Sequence, residues 1–440
     1  MGQIGEPEEY IVTLEDASVI FSSGYYFDSL GSTVDNSAVL HEVPWSDLQW
    51  GRCANRTSVA TVTIPNDEWG KTLCPYPLKG WDQALVIYRN GLRVWAGPLL
   101  GWRRTSAGQI QVTARDLLAF GERGLALDDV VVVGGELWQA VSDYIAAVQV
   151  TTHATAPYLI MDPIFMHPGE SSAIGITKTF VGAEARYMSD VLSELSSEYN
   201  LFYSAGPDGV HYSRTEFYFG TAAPALHEGS VLNAPVVVVD CSEVTTMLFA
   251  LSDNAGGGYR TILDAAMVEL VGAGAYSDSF SLASVIEPSA HAVGDELTVA
   301  ATKKSVETLV PKTTIEALKL APSVGSTSNQ KGADDRFRGF EDINDLRPGM
   351  VARWGFDEDC LSEVPIASLR DPNSRTGFFL TSHIVAVELV QLDVSATRRD
   401  DGLSEVISAS FVPIADARFS SVEYPVEDGA SFTFQSTEEP

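Results

Sequence analysis

Residues 84–121 decide the fold of this chain and read ALVIYRNGLRVWAGPLLGWRRTSAGQIQVTARDLLAFG. The apolar run 84–89 leads into Asn90 and Gly91, the strongest short-range signal for a β-hairpin turn. Residues 92–100 then return as a second strand rich in β-forming residues. The first half of the segment therefore predicts a tight hairpin.

The second half of this segment predicts another hairpin that turns at residues 106–108. Beyond the turn, Ile110, Val112 and Ala114 alternate with polar residues, so one face of the strand is buried and the other meets water. A helical cap follows. The segment offers no set of nucleophile, base and metal ligands, and it indicates a structural protein rather than an enzyme.

Composition indicates a turn-rich globular protein. The chain has 440 residues, of which 45% are hydrophobic, with 36 Gly and 21 Pro. This length predicts about three domains with large cores. No apolar run reaches the length of a membrane span, and the first ten residues lack the pattern of a signal peptide. We therefore expect a chain without a membrane span that is not exported.

The net charge of −31 argues against a direct grip on nucleic acid, which requires clustered Lys and Arg. Two interpretations remain open. The acidity suits a wall past which DNA slides without specific binding, or it keeps an abundant assembly protein soluble.

The first domain is predicted over residues 1–133 as a small β-barrel. Residues 10–14, 19–22 and 59–64 read as strands and, with residues 84–115, give about six. An α/β insertion is predicted over the next segment, residues 134–215. It comprises helices at 136–149 and 183–199 and strands at 201–204 and 210–214.

The second half of the chain returns to a β-rich pattern that predicts a second barrel. Residues 216–300 hold its first strands, and residues 301–415 hold a helix at 313–320, a polar arm at 323–335 and the remaining strands. Residues 416–440 read as an acidic C-terminal tail. The strands of this half are predicted at residues 236–240, 246–251, 350–354, 377–392 and 405–413.

Six short motifs follow one another along the chain. They are W-x-R at Trp50 and Arg52, S-x-A-x-V at Ser58, Ala60 and Val62, R-N-G at Arg89, Asn90 and Gly91, V-W-x-G-P at Val94, Trp95, Gly97 and Pro98, a D-G hairpin at Asp208 and Gly209, and L-x-P-G at Leu346, Pro348 and Gly349. In this order they resemble the minor tail proteins of long-tailed phages (siphoviruses) of actinobacteria. Within that group, the chain is similar to the Tal-like tail-hub family, which shares its fold with the baseplate hubs of contractile tails.

The resemblance implies a mainly β fold with an α/β insertion and two β-barrel domains. It implies a homotrimer whose two barrels per subunit meet a six-fold tail tube. The function it implies is that of a structural hub at the tail tip, which joins the tube to the distal apparatus, lines or closes the DNA channel and serves host cell entry. Its expected partners are the distal tail protein, the tape measure protein and other minor tail proteins, in a virion assembled in the host cytoplasm.

Other functions remain open. One is a distal tail protein that forms a six-fold ring, and another is a tail-associated cell-wall hydrolase, against which the missing catalytic dyads argue. A third is a tip protein that binds host receptors or glycans. It would use six tryptophans of the first domain, for which core packing is the better interpretation. They are Trp45, Trp50, Trp69, Trp81, Trp95 and Trp102.

The sequence predicts no catalytic, metal or cofactor site. Seven histidines, among them His153, His167 and His383, are scattered and never take the spacing of a zinc site. The four cysteines are too few for a disulfide framework. Cys53 and Cys74 fit a pair across a hairpin, although buried free thiols are the favoured interpretation.

Overall fold

β-Strands dominate the part of the chain that the structure describes, as predicted. The computed structural model describes residues 9–21, 39–65, 79–152, 164–165, 176–199, 201–207, 209–214, 225–227, 236–240, 242, 247–250, 260–262, 283–286, 312–317, 320, 343–355, 365–367, 377–379, 384–399, 402–414, 423–425 and 431–433. The predicted arm at 323–335, together with Cys74 and Asp208, lies outside these residues.

The strands and helices follow one another in chain order. They are β1 Tyr10–Asp16, α1 Ala17–Ile20, β2 Val39–Glu42, β3 Asp47–Cys53, β4 Val59–Ile64, β5 Gln83–Arg89, β6 Leu92–Arg104, β7 Ile110–Arg115, β8 Val130–Gly135, α2 Leu137–Thr152, β9 Ile164–Phe165, β10 Ile176–Phe180, α3 Met188–Tyr199, β11 Leu201–Gly206, β12 Gly209–Arg214, β13 Ala225–His227, β14 Val236–Asp240, β15 Met247–Ala250, β16 Arg260–Ile262, β17 Ala283–Ile286, β18 Lys312–Ala317, β19 Val351–Gly355, β20 Pro365–Ala367, β21 Gly377–Phe379, β22 Ile384–Arg399, β23 Gly402–Ile414, β24 Glu423–Pro425 and β25 Ser431–Thr433. Short 3-10 turns lie at Leu117–Phe120, Gly182–Glu184 and Ile343–Asp345.

The chain forms two compact units. The first comprises Met1–Ala223, Lys319–Met350 and Leu389–Ala409, and the second comprises Pro224–Leu318, Val351–Glu388 and Ser410–Pro440. The division into five segments made from the sequence stays a prediction.

An antiparallel sheet is the main element of the first unit. Its strand order is β23-β22-β3-β4-β7-β6-β5-β1-β2. Among the described strands no pairing joins β2 to β23, so hydrogen bonds do not close this sheet into a barrel. The prediction of two closed barrels is therefore not confirmed.

The α/β insertion packs on one face of this sheet. The predicted helices are present as α2 and α3, and α2 buries the stripe that includes Leu137, Val141 and Ile145. These side chains share one apolar cluster with Val86 and Tyr88 of β5. The insertion and the sheet face therefore bury a common core.

Asn55, just after β3, ties the insertion to the sheet. It donates its backbone N–H to the Tyr203 carbonyl oxygen at 2.8 Å, and its side-chain oxygen accepts the N–H of Tyr203 at 3.0 Å. The Tyr203 hydroxyl donates to the Asn55 carbonyl oxygen at 2.9 Å, and burial raises the pKa of Tyr203 to about 12. Strand β11 is thus held on the end of β3.

The second unit is described as short paired strands. Strand β14 pairs with β18, β13 lies parallel to β19, and β19 pairs antiparallel with the start of β22. Strand β15 lies between β16 and β17, β20 pairs with β21, and within the predicted tail β24 pairs with β25.

Two predicted elements are wrong. Residues 19–22 were predicted as a strand, but residues 17–20 form α1 because the Asp16 side chain accepts the N–H of Ser18 and caps a helical turn. Residues 313–320 were predicted as a helix, but the β-branched run of β18 pairs in register with β14 and buries Ile315. In both cases a local contact or a strand partner outweighed the apolar pattern.

Candidate functional site

Three of the predicted motifs meet at the buried guanidinium of Arg52 in β3. Its side chain donates to the carbonyl oxygen of Val94 and to Oδ1 of Asn344, each at 2.6 Å. It also donates to the carbonyl oxygens of Leu346 at 3.2 Å and Ile343 at 3.3 Å. One cation therefore joins the W-x-R, V-W-x-G-P and L-x-P-G segments, which lie far apart in sequence.

Trp50, which packs beside this cation, and Trp95 are core residues. The Arg52 guanidinium lies 5.3 Å from the centroid of the Trp50 ring, and Trp50 is only 2% exposed. The Trp95 indole N–H donates to the Ser58 hydroxyl at 3.4 Å. Both indoles contribute apolar area to the interior of the unit, and their burial leaves neither accessible to a ligand.

A buried carboxyl group, that of Asp116, orders the segment after β7. Its Oδ2 accepts the N–H and the hydroxyl of Ser58, each at 2.6 Å, and its Oδ1 accepts the N–H of Leu118 at 3.0 Å. Burial raises the pKa of Asp116 from 3.8 to about 7, although the bonds from Ser58 and Leu118 oppose that rise. Asp116 therefore connects β4, through Ser58, to the 3-10 turn after β7.

Gly97 and Pro98 occupy a close approach between β6 and β7. A Cβ on Gly97 would lie 1.7 Å from the Arg115 carbonyl oxygen, so any side chain there would force the strands apart. Pro98 lies opposite Ala84 in the β5–β6 pairing and is buried.

A buried ion pair brings distant strands of the sheet together. Arg89 at the end of β5 donates through Nε and Nη2 to the two carboxylate oxygens of Glu405 on β23, each at 2.9 Å. The Tyr10 hydroxyl of β1 donates to the same carboxylate. Burial, then the Glu405 charge and hydrogen bond, raise the pKa of Tyr10 well above its ordinary value.

This ion pair shows that the sheet is strongly curved. Strands β23 and β5 stand six positions apart in the strand order, which in a flat sheet would separate them by about 29 Å. The side-chain bonds between Arg89 and Glu405 instead join them directly. Side chains, rather than strand pairing, bring these strands together.

The predicted turn at Asn90 and Gly91 is present. Both residues have positive φ angles, 52° and 78°, and Arg89 pairs with Leu92 across the turn, as a two-residue hairpin of type I′ requires. The side chain of Asn90 accepts the N–H of Glu9 at 3.2 Å. The turn therefore also holds the start of β1.

The L-x-P-G motif presses against the insertion. Gly349 has a φ of 89°, and a Cβ there would lie 2.4 Å from Cε1 of Phe202 on β11. Pro348 beside it is buried. Gly209, the first residue of β12, has a φ of 141°. The positive φ angle and the close approach of Phe202 thus explain why glycine occupies position 349, which the sequence alone did not explain.

Three residues that contact the motif residues belong to none of the six motifs. They are Glu405, Asn344 and Asp116. Glu405 is separated from Arg89 by 316 residues, and Asn344 from Arg52 by 292. Asp116 has a local signal, since it precedes an apolar 3-10 turn in the manner of a helix N-cap. For Glu405 and Asn344, no local sequence pattern predicts the contact with its arginine.

Side chains of β11 and β12 are mostly buried. Leu201, Phe202 and Tyr212 are each 2% exposed or less. Apolar side chains are instead exposed at Trp102 of β6 and along β8. These residues are candidates for contacts between proteins.

The described residues give little indication of a metal site or a reactive group. Among them, no group of three or more His, Cys, Asp or Glu side chains is arranged to hold a metal ion. Cys53 is a buried free thiol whose pKa is raised, first of all, by burial. No helix in the described part of the chain has the length and apolar character needed to cross a membrane.

Comparison with known proteins identifies the fold. No family model matches the chain, and no curated protein matches its sequence. The structure is similar to that of the 43 kDa tail protein of prophage MuSo2 from Shewanella oneidensis, with a TM-score of 0.53 and 10% identity over 91% of this chain and 97% of that protein. It is also similar to a tail protein from Neisseria meningitidis, with a TM-score of 0.54 and 12% identity over 92% of this chain and 96% of that protein. The chain therefore has the fold of these two tail proteins.

Proposed function

We propose that this chain is a structural protein of a phage tail and that it forms the hub at the tail tip. The observation that carries the proposal is the fold it shares with two tail proteins over 91% and 92% of its length. The order of the sequence motifs favours the Tal-like hubs of siphoviruses that infect actinobacteria. In this role the chain joins the tail tube to the distal apparatus, with the distal tail and tape measure proteins as neighbours.

The buried contacts of Arg52 and Glu405 support a structural role for this chain. A hub must keep its shape while other proteins and DNA act on it, and buried hydrogen bonds and ion pairs between distant segments restrict the arrangements that a core can take. Here Arg52 and Glu405 connect segments separated by about three hundred residues of sequence. We propose that this framework makes the first unit rigid.

The proposed ring contains three copies, each contributing two barrel-like domains to face a six-fold tube. Three copies would carry 3 × −31 = −93 charges, which suits a channel wall that DNA passes without binding. Assembly would take place in the host cytoplasm, before the tail tip meets a host cell.

Immunogold electron microscopy of tailed particles tests the location. With antibodies against the full chain, we expect gold at the end of the tail remote from the capsid. Label on the capsid, or evenly along the tail tube, would reject the hub. Particle averages centred on the labelled end would then show three-fold order for the hub, or six-fold order for the distal tail protein.

Two assays separate the hub from the other classes. The purified chain should release no soluble fragments from cell walls, whereas a tail-associated hydrolase would release them. Binding to host glycans by the full chain would favour the receptor-binding alternative. The burial of Trp45, Trp50 and Trp95 argues against a tryptophan platform for sugars.

A further inference from the structure

The hairpin tip, residues 100–111 at the turn between β6 and β7, exposes several side chains. Across it, Trp102 pairs with Val112, Arg103 with Gln111 and Arg104 with Ile110. The turn itself is closed by hydrogen bonds from the N–H of Thr105 to the Gln109 carbonyl oxygen and from the N–H of Gly108 to that of Thr105. The backbone of the hairpin tip is therefore fixed by strand pairing and by the hydrogen bonds of the turn.

Acidic residues are absent from the sequence around the hairpin tip. The chain has 59 Asp and Glu, yet none occurs between Asp82 and Asp116. The same stretch holds five arginines, at positions 89, 93, 103, 104 and 115. In a chain of net charge −31, this segment carries a local positive charge.

Only part of that positive charge is exposed. Arg89 and Arg115 form ion pairs with Glu405 and Glu122, and Arg93 is buried. Arg103 and Arg104 are exposed at the tip beside Trp102, whose side chain is 51% exposed. Tryptophan and arginine are the residues most enriched among the energetically dominant contacts of protein interfaces.

We propose that the hairpin tip of one copy binds the acidic surface of a second copy of this chain. Two acidic copies repel each other, and the contact that lowers this repulsion is one in which a segment free of carboxylates meets the acidic face of its neighbour. Such a contact joins two different surfaces, so its repetition generates a ring or an open chain. Two exposed arginines are too few to hold DNA against a net charge of −31.

The inference does not depend on the tail-hub assignment. A hub whose copies meet through other surfaces would refute the inference and leave the proposed function intact. Conversely, self-association through the hairpin tip would support the inference whatever the location of the protein in a particle.

Sedimentation velocity of the full chain over a range of concentrations and salt tests the proposal. We expect the wild-type chain to self-associate once salt screens the long-range repulsion between the acidic copies. The double change Arg103→Glu and Arg104→Glu, and separately Trp102→Ala, should raise the dissociation constant at least roughly tenfold. The double change Arg103→Gln and Arg104→Gln provides a milder variant should charge reversal impair folding.

A matched control separates the tip from net charge. Arg123→Glu with Arg399→Glu changes two exposed arginines outside the hairpin and gives the same net charge, −31 − 4 = −35. This control should associate like the wild type. A monomeric wild type, unchanged association of the tip variants, or equal weakening of the control would each overturn the proposal. So would binding of labelled duplex DNA that the tip variants lose while their self-association is unchanged.

Discussion

The sheet of the first unit and the insertion that packs on it are held together in different ways. In the sheet, buried charged side chains reach across the sequence, as Arg89 does to Glu405 and Arg52 to Leu346. In the insertion, apolar stripes of two successive helices pack on each other and on β5. The first arrangement depends on a few distant partners, and the second on many contacts between segments close in sequence.

The ion pairs of the two regions show the same difference. Glu194 of α3 pairs with Lys178 and Arg186, both within twenty residues of it. Burial alone raises the pKa of Glu194, but the hydrogen bonds and charges of Lys178 and Arg186 outweigh it and leave the pKa below its ordinary value. Loss of a local pair should affect one helix, whereas loss of a distant pair should release whole strands.

The largest effect is expected when Arg89 is changed to Met. The carboxylate of Glu405 would then be buried without its cationic partner, and the free energy of unfolding should fall by about 3–5 kcal/mol. Urea unfolding followed by tryptophan fluorescence measures this loss. Hydrogen exchange should rise in β1, β5 and β23 together.

The matched control removes both charges. The double variant Arg89→Met with Glu405→Met leaves no buried charge, so it should recover most of the lost stability. A loss below about 1 kcal/mol in the single variant would place this pair among ordinary surface ion pairs. It would then not hold the two strands together.

The second prediction tests the insertion. Leu195 of α3 is fully buried, and Leu195→Ala should lower the free energy of unfolding by about 3 kcal/mol because it leaves a cavity. Hydrogen exchange should rise in α2 and α3 and stay unchanged in β3 and β4. An equal rise in β3 and β4 would show that insertion and sheet unfold as one cooperative unit.

The regions also differ in what the sequence could predict. The hairpin at Asn90 and Gly91 was predictable because a two-residue turn with positive φ restricts the residue types. Helix α2 was predictable because its apolar residues repeat at helical spacing. Both signals are local, and both predictions are confirmed.

Contacts between distant residues could not be predicted in this way. Glu405 is one of 59 acidic residues, and its burial follows only from the curvature of the sheet. The strand β18 was mistaken for a helix because its partner β14 is distant in sequence. Lys312 pairs with Asp240, which lies 72 residues earlier, and Glu316 pairs with Val236, which lies 80 residues earlier. The framework around Arg52 likewise needed the positions of Asn344 and Leu346.

The third prediction concerns that framework. Arg52→Lys keeps the positive charge but loses the planar fork that reaches acceptors on several sides, so the free energy of unfolding should fall by about 2 kcal/mol. The control is Arg56→Lys, an exposed arginine after the same strand, which should change stability by less than about 0.5 kcal/mol. If Arg52→Lys lowered the free energy of unfolding no more than Arg56→Lys does, the planar geometry of the Arg52 guanidinium would not contribute to stability.

At acidic pH the smallest effect of a substitution is expected at Asp116, where the pH dependence separates two contributions. Asp116→Asn replaces one of the accepting oxygens by an amide that cannot accept from Ser58, which should cost about 1–2 kcal/mol. The pKa of the folded carboxyl is raised to about 7, so the folded protein holds a proton there that the unfolded chain has released above pH 3.8. This proton stabilises the wild type at low pH, and the stabilisation is lost as pH rises through about 7.

Unfolding in urea at a series of pH values from 4.5 to about 8 measures both contributions. The wild type should lose stability relative to Asp116→Asn as pH rises from 4.5 to about 7, by up to about 1.4 kcal/mol per pH unit, so that its advantage over the variant disappears within this window and then reverses. Asp128→Asn, at an exposed position, serves as the control and should give a profile parallel to that of the wild type. If Asp116→Asn also runs parallel to the wild type, the Asp116 carboxyl is already ionised in the fold. Its three hydrogen bonds from Ser58 and Leu118 would then outweigh its burial.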